Sequence, residues 1–310
     1  MHEKVCVIIP GRGRQEKIEK CLSSVTGQGY PELEIIVVDD GLGEDALQVL
    51  DKFKDKIKVL KSNRRGPGFS RNLAAKFTDA EFLAFTDSDC IVAKNWIVEL
   101  MRGFQEAALA ASCGGRQELP DDATHFERKA FSFMKKAGFI TDYTRKIKDD
   151  CIIEVNHNPS CNVMYKRDIF LKEGGFLEGL WPGEDVELDY RIKKTGYLQV
   201  FNPRAIVYHY RQKDLKSLLK MMYRYGSAQG FLVKRYGIFR GIQALPFLSL
   251  FILALFLLSL LFKLTFYFSL LICSGLLLST IYFNFHLSVL SITVLSFLSW
   301  HLGFFKKLIR

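Results

Sequence analysis

The stretch Phe82-Leu83-Ala84-Phe85-Thr86-Asp87-Ser88-Asp89 decides how the chain is read. It opens as four apolar residues without polar alternation, the pattern of a strand covered on both faces. It ends on two carboxylates one residue apart. A pair so spaced, after a buried strand and before a polar turn, can present both groups to one cation. A hard divalent ion such as Mg²⁺ or Mn²⁺ takes oxygen ligands and fills its shell with phosphate and water. Alone the triplet is an ordinary solvated turn, so its surroundings carry the weight.

Upstream, Val5-Cys6-Val7-Ile8-Ile9 is a second buried run ended by Pro10-Gly11. A helix is expected from about Gln15 to Gln28, with Ile18, Cys21, Leu22 and Val25 at helical spacing. Leu33 to Val38 reads as a strand ending in Asp39-Asp40, Glu44 to Phe53 as a helix, Ile57 to Leu60 as a strand and Phe69 to Phe77 as a helix. Downstream the alternation continues with a helix from Trp96 to Ala110. Strand, helix, strand at this pitch predicts right-handed crossovers and an open parallel α/β sheet. Ligands of such sheets sit outside the carboxyl ends of the strands, where Asp39, Asp40, Asp87 and Asp89 all fall.

Residues 119 to 150 are polar and aromatic with weak periodicity and are assigned only as helical segments and loops. Beyond them come a strand at Cys161 to Tyr165, a helix at Arg167 to Glu173 and a loop from Gly174 to Pro182. A helix at Glu184 to Thr195 and strands at Leu198 to Phe201 and Ile206 to His209 follow. Leu215 to Tyr236 is amphipathic and basic, suited to a membrane interface or to ordinary packing.

From Gly241 onward charges nearly vanish. The expected division is a catalytic domain over 1–236 and a membrane domain over 237–310, with about three transmembrane helices at 244–262, 266–283 and 287–305. Each approaches the roughly 20 residues needed to cross hydrocarbon. Three crossings set Lys306, Lys307 and Arg310 opposite the basic stretch before the first span, against the positive-inside tendency.

The net charge of +10 points to acidic partners such as nucleotides or lipid phosphates. Nucleic acid is not expected, because no dense Lys/Arg stripe is interleaved with aromatics. Seven scattered cysteines without paired spacing suggest reduced thiols and a cytosolic catalytic domain on a multi-pass cell-membrane protein. An Asp-x-Asp phosphotransferase is disfavoured, since that chemistry wants Asp-x-Asp-x-Thr and position 91 is Ile91.

Taken together, VCVIIP, KCLSSVTGQGYPELEIIVVDDG, RRGPGFSRNLAAKFTDAEFLAFTDSDC, NWIVEL, GGF, GEDVELDYRIKKTGY and VYHYR, in that order, resemble glycosyltransferase family 2, the inverting enzymes of GT-A fold. The resemblance spans about Val5 to Tyr236 and implies a Rossmann-like domain that uses a nucleotide-diphosphate sugar and Mg²⁺ or Mn²⁺. By this likeness Pro10 and Gly11 touch the nucleoside, Asp40 meets the base with Asp39 in support, and Arg71 meets the nucleotide. Asp89 is the metal ligand, Asp87 with Ser88 lies toward the sugar-nucleotide and metal-bound water, and His209 stands near metal and diphosphate. Within Gly183-Glu184-Asp185 the general base is Asp185, with Glu184 beside it. The expected acceptor is lipid-linked, a polyprenyl phosphate or a glycan.

Two departures stand out. Thr-Tyr-Asn after the first strand is replaced by Gly11-Arg12-Gly13-Arg14, and the Gln/Arg-x-x-Arg-Trp signature of processive synthases is absent from YRIKKTGY. Single-sugar addition is therefore expected. The alternative is a catalytically silent nucleotide-binding membrane protein that organises a surface-glycan assembly complex.

Overall fold

A computed structural model of the chain describes residues 3–13, 17–140, 151–261, 274–275 and 287–310. Its contacts divide it into two units, Met1–Arg211 and Gln212–Arg310. The division places the basic helix of residues 215–236 with the second unit.

The first unit is built on one sheet of strands β1 (Val5–Gly13), β2 (Leu33–Leu42), β3 (Lys58–Lys61), β4 (Phe82–Phe85), β5 (Cys90–Val92), β6 (Ala110–Glu118), β7 (Ile153–Val155), β8 (Val163–Lys166) and β9 (Leu198–His209). Their order is β3-β2-β1-β4-β8-β6-β9-β5, with β7 on β9. Helices α1 (Ile18–Thr26), α2 (Glu44–Lys52), α3 (Pro67–Phe77), α4 (Trp96–Glu106), α5 (His125–Ala137), α6 (Arg167–Lys172) and α7 (Glu184–Lys194) complete it. β1, β2, β3 and β4 pair in parallel, as the buried apolar runs predict. The expectation of a wholly parallel sheet fails at β8, which enters antiparallel between β4 and β6.

The sheet is covered on both sides. One core gathers Val5, Val7, Ile9, Cys21, Leu22, Trp96 and Leu100, and the other Cys6, Ile8, Phe85, Tyr165, Phe170 and Phe176. Successive β1 residues point to opposite faces, which is why Val5–Ile9 is apolar throughout. β6 runs through the middle on small residues. A side chain at Gly114 would meet Asn158 Oδ1 at 2.2 Å and one at Gly115 the Ala205 carbonyl oxygen at 1.9 Å. Only glycine lets β9 and the 156–162 loop come so close. Sequence reading ends the preceding helix at Ala110; the structure ends it at Glu106 and starts β6 at Ala110. Within the unassigned 119–150 region α5 is closed by a Thr124–Glu127 capping box and by Gly138 in the left-handed conformation.

The second unit contains α8 (Leu215–Tyr236), a 3-10 turn (Gly241–Ala244), α9 (Leu245–Leu261) and α10 (Leu287–Ile309). Gln243 stitches the turn, donating to Gln229 Oε1 at 3.0 Å while its own oxygen accepts from the Phe239 and Arg240 backbone. Two of the three expected spans fall on α9 and α10, and both are long and apolar enough to cross a membrane. The segment read as a span at 266–283 lies outside the described residues apart from Ser274 and Gly275.

Candidate active site

The parallel strands β1, β2 and β4 end at one rim. Pro10 and Gly11 of β1 lie opposite Val38 and Asp39 of β2, and the chain leaves β4 into Thr86-Asp87-Ser88-Asp89. Asp39 turns its carboxylate back to accept from the Gly41 and Leu42 amides at 2.9 and 2.8 Å. That closes the strand end in an Asx turn. Asp40 is buried and accepts from Ser62 Oγ at 2.6 Å and from the Gly66 amide at 3.1 Å, the residue that starts α3. Arg12 lies 4.0 Å from its other side. Asp40 thus joins two elements of the rim and keeps Arg12, one of the residues that replace the usual Thr-Tyr-Asn, beside the end of β1.

Asp87, Asp89 and His209 come together with one ligand atom each, all within 4.8 Å of one another. Their convergence follows from strand pairing. β5 begins immediately after Asp89, and Cys90 pairs with His209 across the antiparallel β5–β9 ladder. The imidazole therefore reaches forward to Asp89, Nε2 to Oδ1 at 3.4 Å. Burial opposes ionisation of Asp89, yet His209 and Arg211 outweigh it and hold the carboxyl below its ordinary range. Burial and Arg211 oppose protonation of His209, and Asp89 and Cys161 overcome both. His209 Nδ1 is buried without a hydrogen-bond partner. Behind the imidazole, Cys90 and Cys161 bring two buried thiols into a second group with His209, again within 4.8 Å. Ser88 is buried between the two acids.

Two carboxylates and an imidazole on a strand-end loop fit a divalent cation that retains open positions for phosphate oxygens.

Arg71 stands beneath this group. Sequence resemblance has it meeting the nucleotide, whereas here it is 2 % exposed. One terminal nitrogen donates to Asp87 Oδ1 at 2.6 Å and the other to Glu184 Oε1 at 2.7 Å. It fixes Asp87 from behind. Glu184 is fully enclosed, and burial with the neighbouring Asp185 pushes its pKa up to about 7 against the pull of Arg71.

Asp185 follows at the start of α7 and is half-buried. Its Oδ2 accepts from the Ser160 amide at 2.9 Å and its Oδ1 from the Val186 amide at 2.7 Å. One turn on, buried Asp189 accepts from the Asn158 amide at 2.7 Å and Tyr165 Oη at 2.8 Å, with His157 Nδ1 at 3.2 Å. The loop carrying Asn158, Pro159 and Ser160 is thus bound to α7 at two points. Asn162, at its end, accepts from Trp96 Nε1 at 2.7 Å and donates to the Arg116 and Ala205 carbonyls at 2.9 Å each. Sequence reading passed over Asn158-Pro159-Ser160 and began the next strand at Cys161, two residues before β8 starts at Val163. The signal of this loop was a run of small hydrogen-bonding residues between apolar stretches, which marks a loop but not its partner.

The chain is similar to known glycosyltransferases. Glycosyltransferase AglE of Haloferax volcanii is 27 % identical over 233 residues, 73 % of this chain and 72 % of that protein. The glucosyl-dolichyl phosphate glucuronosyltransferase of the same organism is 27 % identical over 220 residues, 67 % of this chain and 69 % of that one. The mannosyltransferase PcManGT from Pyrobaculum calidifontis, solved with GDP-Man and Mn²⁺, superposes over 100 % of this chain and 88 % of its own, with a TM-score of 0.68 at 15 % identity. That likeness makes the first unit a GT-A fold. Residues 6–174 match the profile of Glycosyl transferase family 2, more than half of the chain, and the protein belongs to that family of glycosyltransferases.

Proposed function

We propose that the enzyme transfers one sugar, with inversion, from a nucleoside-diphosphate sugar to a lipid-linked acceptor of the polyprenyl-phosphate type at the cytosolic face of the cell membrane. The observation that carries this reading is the meeting of Asp87, Asp89 and His209 within 4.8 Å of one another, joined through Arg71 to the start of the helix that bears Asp185. A divalent cation held by Asp87, Asp89 and His209 would neutralise charge on the leaving diphosphate. Pro10, Gly11, Asp39, Asp40 and Ser88 line the donor end. Asp185 acts as general base on the attacking hydroxyl. Its two backbone hydrogen bonds fix its direction.

Support for the acceptor comes from the Haloferax volcanii relative named for a glucosyl-dolichyl phosphate. The apolar α9 supports membrane anchoring. The test is product mass spectrometry on the purified full chain with mixed UDP- and GDP-sugars, dolichyl phosphate and its glycosylated forms, with Mn²⁺ and with chelator. The expected result is a glycolipid of inverted anomeric configuration that vanishes on chelation and returns with Mn²⁺. Chelator-independent turnover removes the metal reading, a retained configuration removes inversion, and products confined to water-soluble acceptors remove the lipid.

A further inference from the structure

The second unit bears on how the chain meets the membrane. α8 and α10 pack at backbone contact. A Cβ added at Gly226 would lie 1.8 Å from the Trp300 carbonyl oxygen, one at Gly230 2.3 Å from that of Phe304, and one at Gly303 2.0 Å from that of Tyr223. Ser299 Oγ donates to the Leu219 carbonyl at 2.7 Å and Ser227 Oγ to the Gly303 carbonyl at 3.3 Å. Lys307 reaches over the Phe231 ring. Leu219 therefore lies beside Ser299, Gly226 beside Trp300, Gly230 beside Phe304 and Phe231 near Lys307. Both numbers rise together, so the two helices run parallel.

That register decides the depth of α10. If residues 291–309 crossed the bilayer, their midpoint would be Trp300, and the α8 residues at that level include Lys220 and Arg224. A cation at the centre of a spanning helix is expensive to bury in hydrocarbon, and two would stand there together. α8 also carries exposed Lys216, Lys234 and Arg235, and α10 ends on exposed Lys306, Lys307 and Arg310. On the side of α10 away from α8, Leu295, Leu298, Leu302 and Ile309 are exposed at helical spacing, Leu302 by 67 %. A basic helix sewn to one with a single apolar ridge is the composition of a surface-lying element. α9 differs, with Leu248, Leu250, Phe251, Leu253 and Leu257 exposed all round it, as hydrocarbon requires.

We propose that α8 and α10 form one plate in the headgroup region of an anionic bilayer, with the α10 ridge in the acyl boundary and its cations on lipid phosphates. α10 then does not cross. The C-terminus then lies at the face that holds α8. This resolves the clash with the positive-inside tendency, because Lys306, Lys307 and Arg310 lie on the side of Lys234 and Arg235. The inference rests on the reading of the protein as membrane-anchored.

The test uses the full chain reconstituted in phosphatidylcholine/phosphatidylglycerol vesicles. A spin label on a genetically encoded keto residue, placed in turn at Leu295, Leu302 and Ile309, leaves the native thiols untouched. The three labels are expected at one shallow depth. A crossing helix would spread them by about 21 Å, at 1.5 Å per residue over fourteen residues, and that result would overturn the plate. In sealed vesicles a C-terminal protease-cleavable tag is expected on the same side as an N-terminal one; opposite sides likewise overturn it. Failure of the chain to float with vesicles removes anchoring itself, an outcome distinct from a spread of depths.

Discussion

Arg71→Met isolates the buried ion-pair network beneath the active site. The wild-type guanidinium serves Asp87, which keeps 29 % of its side chain in water, and Glu184, which keeps 2 %. Methionine fills much of the same volume without charge, leaving Glu184 enclosed beside Asp185. Removing one partner of a buried pair costs about 3–5 kcal/mol. The sign of the pH dependence follows from Glu184. Its pKa is raised by folding from 4.5 to about 7, so the stability it contributes is fully present below 4.5 and is lost as pH rises through 7. Without Arg71, one of the influences that lowers it, the folded value moves further up and the loss extends to higher pH, at about 1.4 kcal/mol per unit. Near pH 8 the variant should show most of the 3–5 kcal/mol. Near pH 6, where Glu184 is mostly protonated in both proteins, the deficit should be smaller by about 1.4 kcal/mol, the linkage accrued between pH 7 and pH 8. Urea unfolding of the detergent-solubilised chain by pulse proteolysis at the two pH values measures this. Arg71→Met combined with Glu184→Gln should lose the pH dependence. An equal deficit at pH 6 and pH 8, or one that persists in the double variant, would refute an ionised Glu184 as its source.

Asp89→Ala should leave unfolding unchanged within about 0.5 kcal/mol and abolish the Mn²⁺-dependent stimulation of donor hydrolysis; retained stimulation would remove Asp89 as a ligand. For Asp185→Asn, transfer should fall by about 10²–10⁴ while donor binding by calorimetry stays near wild type, and weakened donor binding would point to a donor-side role instead. Asn162→Ala strips a buried acceptor from Trp96 Nε1 and donors from two carbonyls, and should cost about 2–4 kcal/mol; a loss under 1 kcal/mol would mean that water replaces the side chain. Gly226→Val should separate α8 from α10, read as loss of a disulfide crosslink engineered between Phe231→Cys and Lys307→Cys; an unaffected crosslink yield would contradict the packing.

The rim of the sheet was legible because its strands are buried on both faces, and unbroken apolar runs at Val5, Ile35 and Phe82 leave one interpretation. The acids that close them could be placed by position alone. β6 was not legible. Its Ala-Ala-Ser-Cys-Gly-Gly composition is dictated by close approach to Asn158 and Ala205, a cross-chain demand that leaves no β-branched or aromatic signature. The antiparallel entry of β8 was invisible for a related reason, since a short apolar strand carries no mark of direction. The start of α5 was written in Thr124 and Glu127, but weak apolar periodicity around them masked the capping box. The sequence identifies Arg71 as important, yet burial of its guanidinium between Asp87 and Glu184 depends on how α3 is rotated. Neighbouring residues do not reveal that rotation.

The two attachments of the Asn158–Ser160 loop to α7 have a metric side. Asp185 and Asp189 are four residues apart along a helix, a rise of about 6 Å. The Ser160 and Asn158 amides that meet them are two residues apart along extended chain, about 6.6 Å. The two spacings are nearly commensurate, and the residue between the donors is Pro159, whose missing N–H falls where none is needed. Loop and helix engage like rack and pinion, so adding or deleting one residue between Asn158 and Ser160 would put the two teeth out of step. Because one tooth is the proposed base, the length of this short loop is set by the aim of Asp185.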